Sequence, residues 1–252
     1  MVQSLSEFTG TLTSFNPAPD EIMQRVRKIH EDVLTHSPFI REPDFKTIHP
    51  RDLEFLFDAY DRAFFDGLCR LALNGRTLGF RLSRRMTTTG GKTTCFTTRD
   101  GVVSFEISVA ASILFDGFGA ADRDVTVCGL GCENRLDALQ RIFEHELVHL
   151  GEQLCWQRSD CSAPRFQDIA RRFFLHRAHT HQLITRRERA AASGIRVGSR
   201  VAFDFEGRRL TGRVNRITKR VTVLVESPEG PVYSDGRRYS TYYVPIASLK
   251  LE

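Results

Sequence analysis

Apolar residues recur at helical spacing in several stretches of the chain. Residues 20–34 read as the one helix of the first fifty residues, entered through Asn16, Pro17 and Pro19 and ended before Ser37-Pro38. Pro50 and Asp52 open the next, in which Leu53, Leu56, Phe57, Tyr60, Phe64 and Phe65 share one face until Gly67 stops it. Asn134 can cap a long helix whose stripe is Leu136, Leu139, Phe143, Leu147, Leu150 and Leu154. A further helix runs from about Pro164 to Leu175, apolar through Phe166, Ile169 and Phe173 and basic on its other face.

Alternation with a period of two marks the strands. Leu78-Phe80-Leu82, Thr93 to Thr98 and Val103-Phe105-Ile107, with turns at Gly90-Gly91 and Asp100-Gly101, predict a three-stranded antiparallel sheet. Ser108 to Phe115 reads as helical and Phe118 to Glu133 as a loop. After Gly194 the pattern is wholly β: Val201-Phe203-Phe205, Leu210 to Val214, Val221 to Val225, Tyr242 to Val244 and Leu249 predict a small barrel. The expected organisation is α+β, with a helical extension over 1–48, a catalytic-sized domain over 49–185 and a β-barrel over 195–252.

Charge sharpens that division. Residues 1–193 hold 25 Lys+Arg against 25 Asp+Glu, whereas 194–252 hold 11 against 6, so the net charge of +5 belongs to the last quarter. No window approaches the roughly 18 uncharged apolar residues of a membrane span, and the N-terminus lacks the pattern of a secretion signal. Six cysteines without such a signal read as reduced thiols of a cytoplasmic protein.

The chemistry sits in the long helix. His145-Glu146-Leu147-Val148-His149 places two histidines four residues apart, so both imidazoles project from one face and can hold one Zn2+ ion. Zinc lowers the pKa of a bound water to roughly 7, and Glu146 beside it can act as general base in peptide hydrolysis. A catalytic zinc needs a third protein ligand, and Cys161, His176, His179 and His181 are the candidates. A helix of about twelve residues returning antiparallel would bring its C-terminal end back toward His149, which favours His176; an earlier fold-back would favour Cys161. Glu152 lies a further turn along the same face and suits a supporting role. Cys128-Gly-Leu-Gly-Cys132 lacks the second cysteine pair of a zinc knuckle.

The helix bearing Phe57, Tyr60 and Phe64-Phe65, the hairpins and Glu144-His-Glu-Leu-Val-His-Leu150 together resemble the SprT-like metallopeptidases, related to Spartan, over about residues 49 to 183. The resemblance implies a zincin-like fold and a peptidase of protein or peptide substrates. In that family the third ligand is a histidine in a His-Gly-x-x-Phe pattern; the equivalent stretch here, ending at Phe166, reads Ser162-Ala163-Pro164-Arg165. Either Cys161 substitutes, or the ligand comes from Leu175-His176-Arg-Ala-His-Thr-His181, which looks like a tail in a bacterial branch of the family. In the same branch an SH3- or Tudor-like module follows, similar to the basic strand Ile217-Thr-Lys-Arg220-Val and the Tyr239…Tyr243-Val-Pro245 ending here. Family members act on DNA-attached proteins, which implies nucleic acid as a possible partner of the barrel. The competing expectation is a non-catalytic zinc-stabilised scaffold, with His145, His149, Cys161 and His176 closing the metal's shell.

Overall fold

The computed structural model describes residues 2–86, 89–118, 125–182, 194–218 and 220–252. The fold is α+β, and the chain divides into two compact units, Met1–Leu183 and Ile184–Glu252. No helix among the described residues is long and apolar enough to cross a membrane.

The first unit opens with a helix that the sequence pattern does not predict, α1 (Val2–Ser14). Its Thr9, Thr11 and Thr13 hydroxyls donate to carbonyls four residues back, and only Phe8 and Leu12 are fully buried. Two core positions are too few to give a periodic signal. The helix is held by tertiary contact instead: Gly151 lets Leu12 approach closely, and Arg172 donates to the carbonyls of Leu12 and Phe15 at 2.8 and 2.6 Å, serving acceptors that the helix end leaves open. Helix α2 (Pro19–His36) buries Ile22, Val26, Ile29 and Val33. The N-terminal helices thus contribute to the core of the first unit rather than standing apart as an extension over 1–48.

Helix α3 (Pro50–Phe65) begins with a reciprocal cap between His49 and Asp52 and ends as Asp66 and Gly67 turn left-handed. A short α4 (Leu68–Leu73) leads to β1 (Leu78–Ser83), β2 (Gly91–Thr97) and β3 (Val103–Ala110). The sheet is mixed, not antiparallel throughout: the order is β1-β3-β2, with β1 parallel and β2 antiparallel to β3. Strand β3 runs on to Ala110, so α5 (Ala111–Gly117) starts later than the pattern suggests. The stretch read as a loop contains a hairpin, β4 (Val125–Val127) and β5 (Leu130–Cys132), and β4 also pairs with β6 (His181–Gln182). Helix α6 (Arg135–Trp156), capped by Asn134, runs through the core, and Gln157 ends it in the left-handed region. Helix α7 (Pro164–Phe174) packs back onto it.

In the second unit β7 (Arg200–Phe205), β8 (Arg208–Ile217), β9 (Val221–Glu226), β10 (Tyr239–Val244) and β11 (Lys250–Leu251) form an antiparallel sheet in the order β10-β9-β8-β7-β11. Among the described residues β10 and β11 remain at opposite edges, so the sheet is not a closed barrel; β11 has only two residues to pair. Val201, Phe203, Val214, Val221, Val223, Val244 and Leu249 make this unit's own core.

Candidate metal centre and its acid–base neighbour

Helix α6 places His145, Glu146 and His149 where the motif requires them. The two Nε2 atoms stand 3.2 Å apart. Phe166, fully buried in the first turn of α7, lies against both imidazoles, with ring centroids 4.8 Å from His145 and 4.5 Å from His149, and so fixes both rings.

The tautomer of His149 follows from its neighbours. Ser159 Oγ donates to Glu152 Oε2 at 2.7 Å, and having spent its one proton there it must accept from His149 Nδ1 at 2.7 Å. The lone pair of His149 is therefore on Nε2, facing His145. Burial holds the His149 pKa below the usual imidazole value against the pull of Glu152 and Asp160, which favours the neutral ring. Glu152 is itself buried and takes Arg165 Nε at 2.6 Å, while the Arg165 guanidinium lies 4.2 Å from the Trp156 ring. This carboxylate acts through Ser159 to orient the His149 imidazole, as carboxylates behind metal-binding histidines do.

Glu146 is 2% exposed and turns toward β2. Thr93 Oγ1 lies 2.8 Å from its Oε2 and 2.9 Å from its backbone carbonyl oxygen and can give its one proton to either. Its other oxygen, Oε1, lies over Gly91, where a Cβ would come within 2.6 Å of it. Burial raises the carboxyl pKa to about 7, offset in part by the bonds to Thr93. A carboxylate so tuned can take up and release a proton near neutrality.

Two groups of side chains among the described residues could hold a metal ion, and they share His145. One joins His145, His149 and Cys161, with ligand atoms within 4.8 Å of one another; the other joins Cys128, His145 and His176. His176 therefore does not complete the His145–His149 pair, as the helix-return reasoning expects. Phe166 at the start of α7 already covers both histidines, so eleven residues of helix, about 16 Å of rise, carry the chain past His149 before His176 is reached. Cys161 lies in the fold-back segment before α7 and reaches the pair instead. The four-ligand shell His145, His149, Cys161 and His176 is not assembled. His179 lines a cleft of about 1010 Å3 beside α7 and enters neither group. The side chain of His181 lies outside the described residues.

Glu144 and Tyr60 are buried polar neighbours of the site that the motif alone does not reveal. Glu144 is fully buried, takes Tyr60 OH at 2.7 Å, both of its oxygens meet Arg141 at 2.9 and 3.0 Å, and it faces His176 Nε2 at 2.9 Å. Burial works to raise its pKa, but the Arg141 charge and the bonds from His176 and Tyr60 carry it below the usual carboxylate value. The buried polar positions within the apolar stripes of α3 and α6 were the available signal. No family model, curated protein or solved structure matches the chain.

Proposed function

We propose that the first unit is a zinc-dependent metallopeptidase with a zincin-like, SprT-like arrangement, in which His145, His149 and Cys161 hold the metal and Glu146 is the general base. The observation that carries this reading is the convergence of the two Nε2 atoms at 3.2 Å beside Cys161, with the Glu146 carboxylate buried one residue along the same helix. Nitrogens about 2.0–2.1 Å from a common zinc at a tetrahedral angle stand about 3.3–3.4 Å apart, so the residues fit the ion. Zinc bound there would supply Lewis acidity to a water and to the scissile carbonyl. Glu146 Oε1 accepts the water proton over Gly91 and passes it to the leaving nitrogen, while Thr93 holds Oε2. Among the described residues strand β2 pairs only with β3, which leaves its other edge for an extended peptide to add as a further strand. Glu146→Gln is expected to keep one zinc per chain and to abolish cleavage of an unstructured protein substrate; cleavage that survives the change overturns the assignment.

The second unit reads as an SH3- or Tudor-like module that brings the peptidase to nucleic-acid-associated proteins. Its excess of arginine, with Arg208, Arg209, Arg213 and Arg216 exposed on β8, suits phosphate, and Phe205, exposed beside Tyr242 at 5.0 Å, offers a stacking surface. Single-stranded DNA should bind with an affinity that falls steeply with salt; binding indifferent to salt counts against the reading.

A further inference from the structure

The other three-residue group sits deeper than the first and is built with care. Cys128, His145 and His176 are 0%, 4% and 5% exposed. Cys128 occupies the turn of the β4–β5 hairpin at φ 53, a left-handed conformation that a non-glycine residue adopts at some cost. That conformation is enforced from one direction. The Cys128 N–H donates to the Thr180 carbonyl at 3.0 Å, and its own carbonyl accepts from Arg177 and Ala178 at 2.9 and 3.1 Å. Gly129 next to it packs so closely that a Cβ would lie 2.9 Å from the Arg177 Cβ. The hairpin is therefore clamped to the segment that carries His176.

His176 supplies an independent indication of a ligand. Its Nε2 faces the ionised Glu144 at 2.9 Å and so carries the proton, while its Nδ1 is buried with no hydrogen-bond partner among the described residues. A carboxylate on one imidazole nitrogen with a bare lone pair on the other is the arrangement that supports metal-binding histidines. Cys128 Sγ lies 3.7 Å from His145 Nδ1. Sulfur and nitrogen ligands about 2.3 and 2.0 Å from one ion stand about 3.5–3.7 Å apart at angles between tetrahedral and trigonal.

We propose that Cys128, His145 and His176 form a second, buried metal site for a soft cation, cuprous copper by its ligand set. One thiolate and two imidazoles are ligands that soft ions select. The group offers three ligands and, among the described residues, no fourth, whereas a structural zinc takes four. Binding transfers the Cys128 thiol proton to solvent and forms bonds from Sγ, His145 Nδ1 and His176 Nδ1. The site excludes the one proposed above for zinc, because a neutral His145 offers one lone pair. With its proton on Nδ1, toward Cys128, the ring serves the His149 side; with its proton on Nε2, it donates to His149 Nε2 at 3.2 Å and serves the Cys128 side. Copper loading thus antagonises the peptidase metal, a consequence that rests on the proposed zinc reading, whereas the copper site itself does not.

The test is an anaerobic titration of the reduced full chain with cuprous ion against a chromogenic cuprous chelator. In a His149→Ala/Cys161→Ser background, which removes the first site, one Cu+ per chain is expected. Adding Cys128→Ser should weaken it by roughly 100-fold or more, and Glu144→Gln by about 10–100-fold. In the unaltered, zinc-loaded chain, Cu+ should release the zinc, and Cys128→Ser should prevent the release. No Cu+ in the double variant, or affinity unchanged by Cys128→Ser in a chain whose circular dichroism shows it folded, overturns the site. Copper binding in the double variant from a chain that never holds zinc would retain this site and sink the peptidase reading alone.

Discussion

Replacing Gly91 by alanine tests whether β2 positions the general base. The added methyl would lie 2.6 Å from Glu146 Oε1, 2.8 Å from Cγ and 2.9 Å from Cδ. Ordinary carbon–carbon contact is about 3.5–4.0 Å, so the Glu146 side chain must retreat by roughly 0.6–1.2 Å. Its tip alone cannot absorb the shift, since Cγ is as crowded as the oxygen, and the side chain is 2% exposed on a helix packed from both sides. Overpacking of this kind costs about 1–3 kcal/mol, and a unit of this size loses about 2–4 °C in Tm per kcal/mol, which gives a fall of about 2–12 °C. Displacement of a base by about 1 Å costs on the order of 100-fold in rate. His145 and His149 do not touch the new methyl among its three nearest neighbours, so zinc stoichiometry should stay the same. The assay is single-turnover cleavage with a thermal melt and metal analysis on the same preparation. A Gly91→Ala chain with both cleavage within about threefold of the parent and an unchanged Tm would refute the placement of Glu146 against β2.

Three further outcomes follow from contacts elsewhere. Ser159→Ala removes the acceptor that fixes His149 and should weaken zinc by about 10–100-fold in a chelator competition; unchanged affinity would mean that Ser159 does not set the tautomer. Arg172→Met keeps the stem but loses both bonds to the end of α1, costing about 1–3 kcal/mol, which a denaturant titration should show as a lower midpoint at unchanged slope. Gly212→Ala drives a methyl into the Leu224 carbonyl across β8 and β9, so hydrogen exchange should quicken at those strands while the amides of α6 keep their protection; equal loosening in both units would contradict their separate cores.

Helices α3, α6 and α7 are legible because each buries a stripe long enough to repeat: α6 alone commits Leu136, Leu139, Phe143, Leu147 and Leu150 to the core. Strand alternation is legible too, but it carries no information about direction, so nothing in Leu78-Phe80-Leu82 distinguishes the parallel β1 from an antiparallel one, or shows that β3 lies between β1 and β2. The β4–β5 hairpin is hidden for another reason. Three-residue strands are too short to alternate, and a turn built on Cys128 in the left-handed region is not the residue choice by which such turns are recognised.

The candidate site shows the same limit at finer scale. Spacing alone brings His145 and His149 together, since residues four apart share a helical face whatever surrounds them. The remaining ligand depends on how far the chain travels before it folds back, and two left-handed residues decide that. Gln157 turns the chain at the end of α6, which lays Ser159 and Cys161 beside His149; Leu175 turns it again at the end of α7, which delivers His176 to Glu144 and Cys128. Neither Gln nor Leu is a residue that announces such a turn, and the glycine expected at a helix end is absent from both positions. A search by residue type therefore sees three histidines and one cysteine as interchangeable candidates, whereas the two turns place Cys161 and His176 in separate groups on opposite nitrogens of His145.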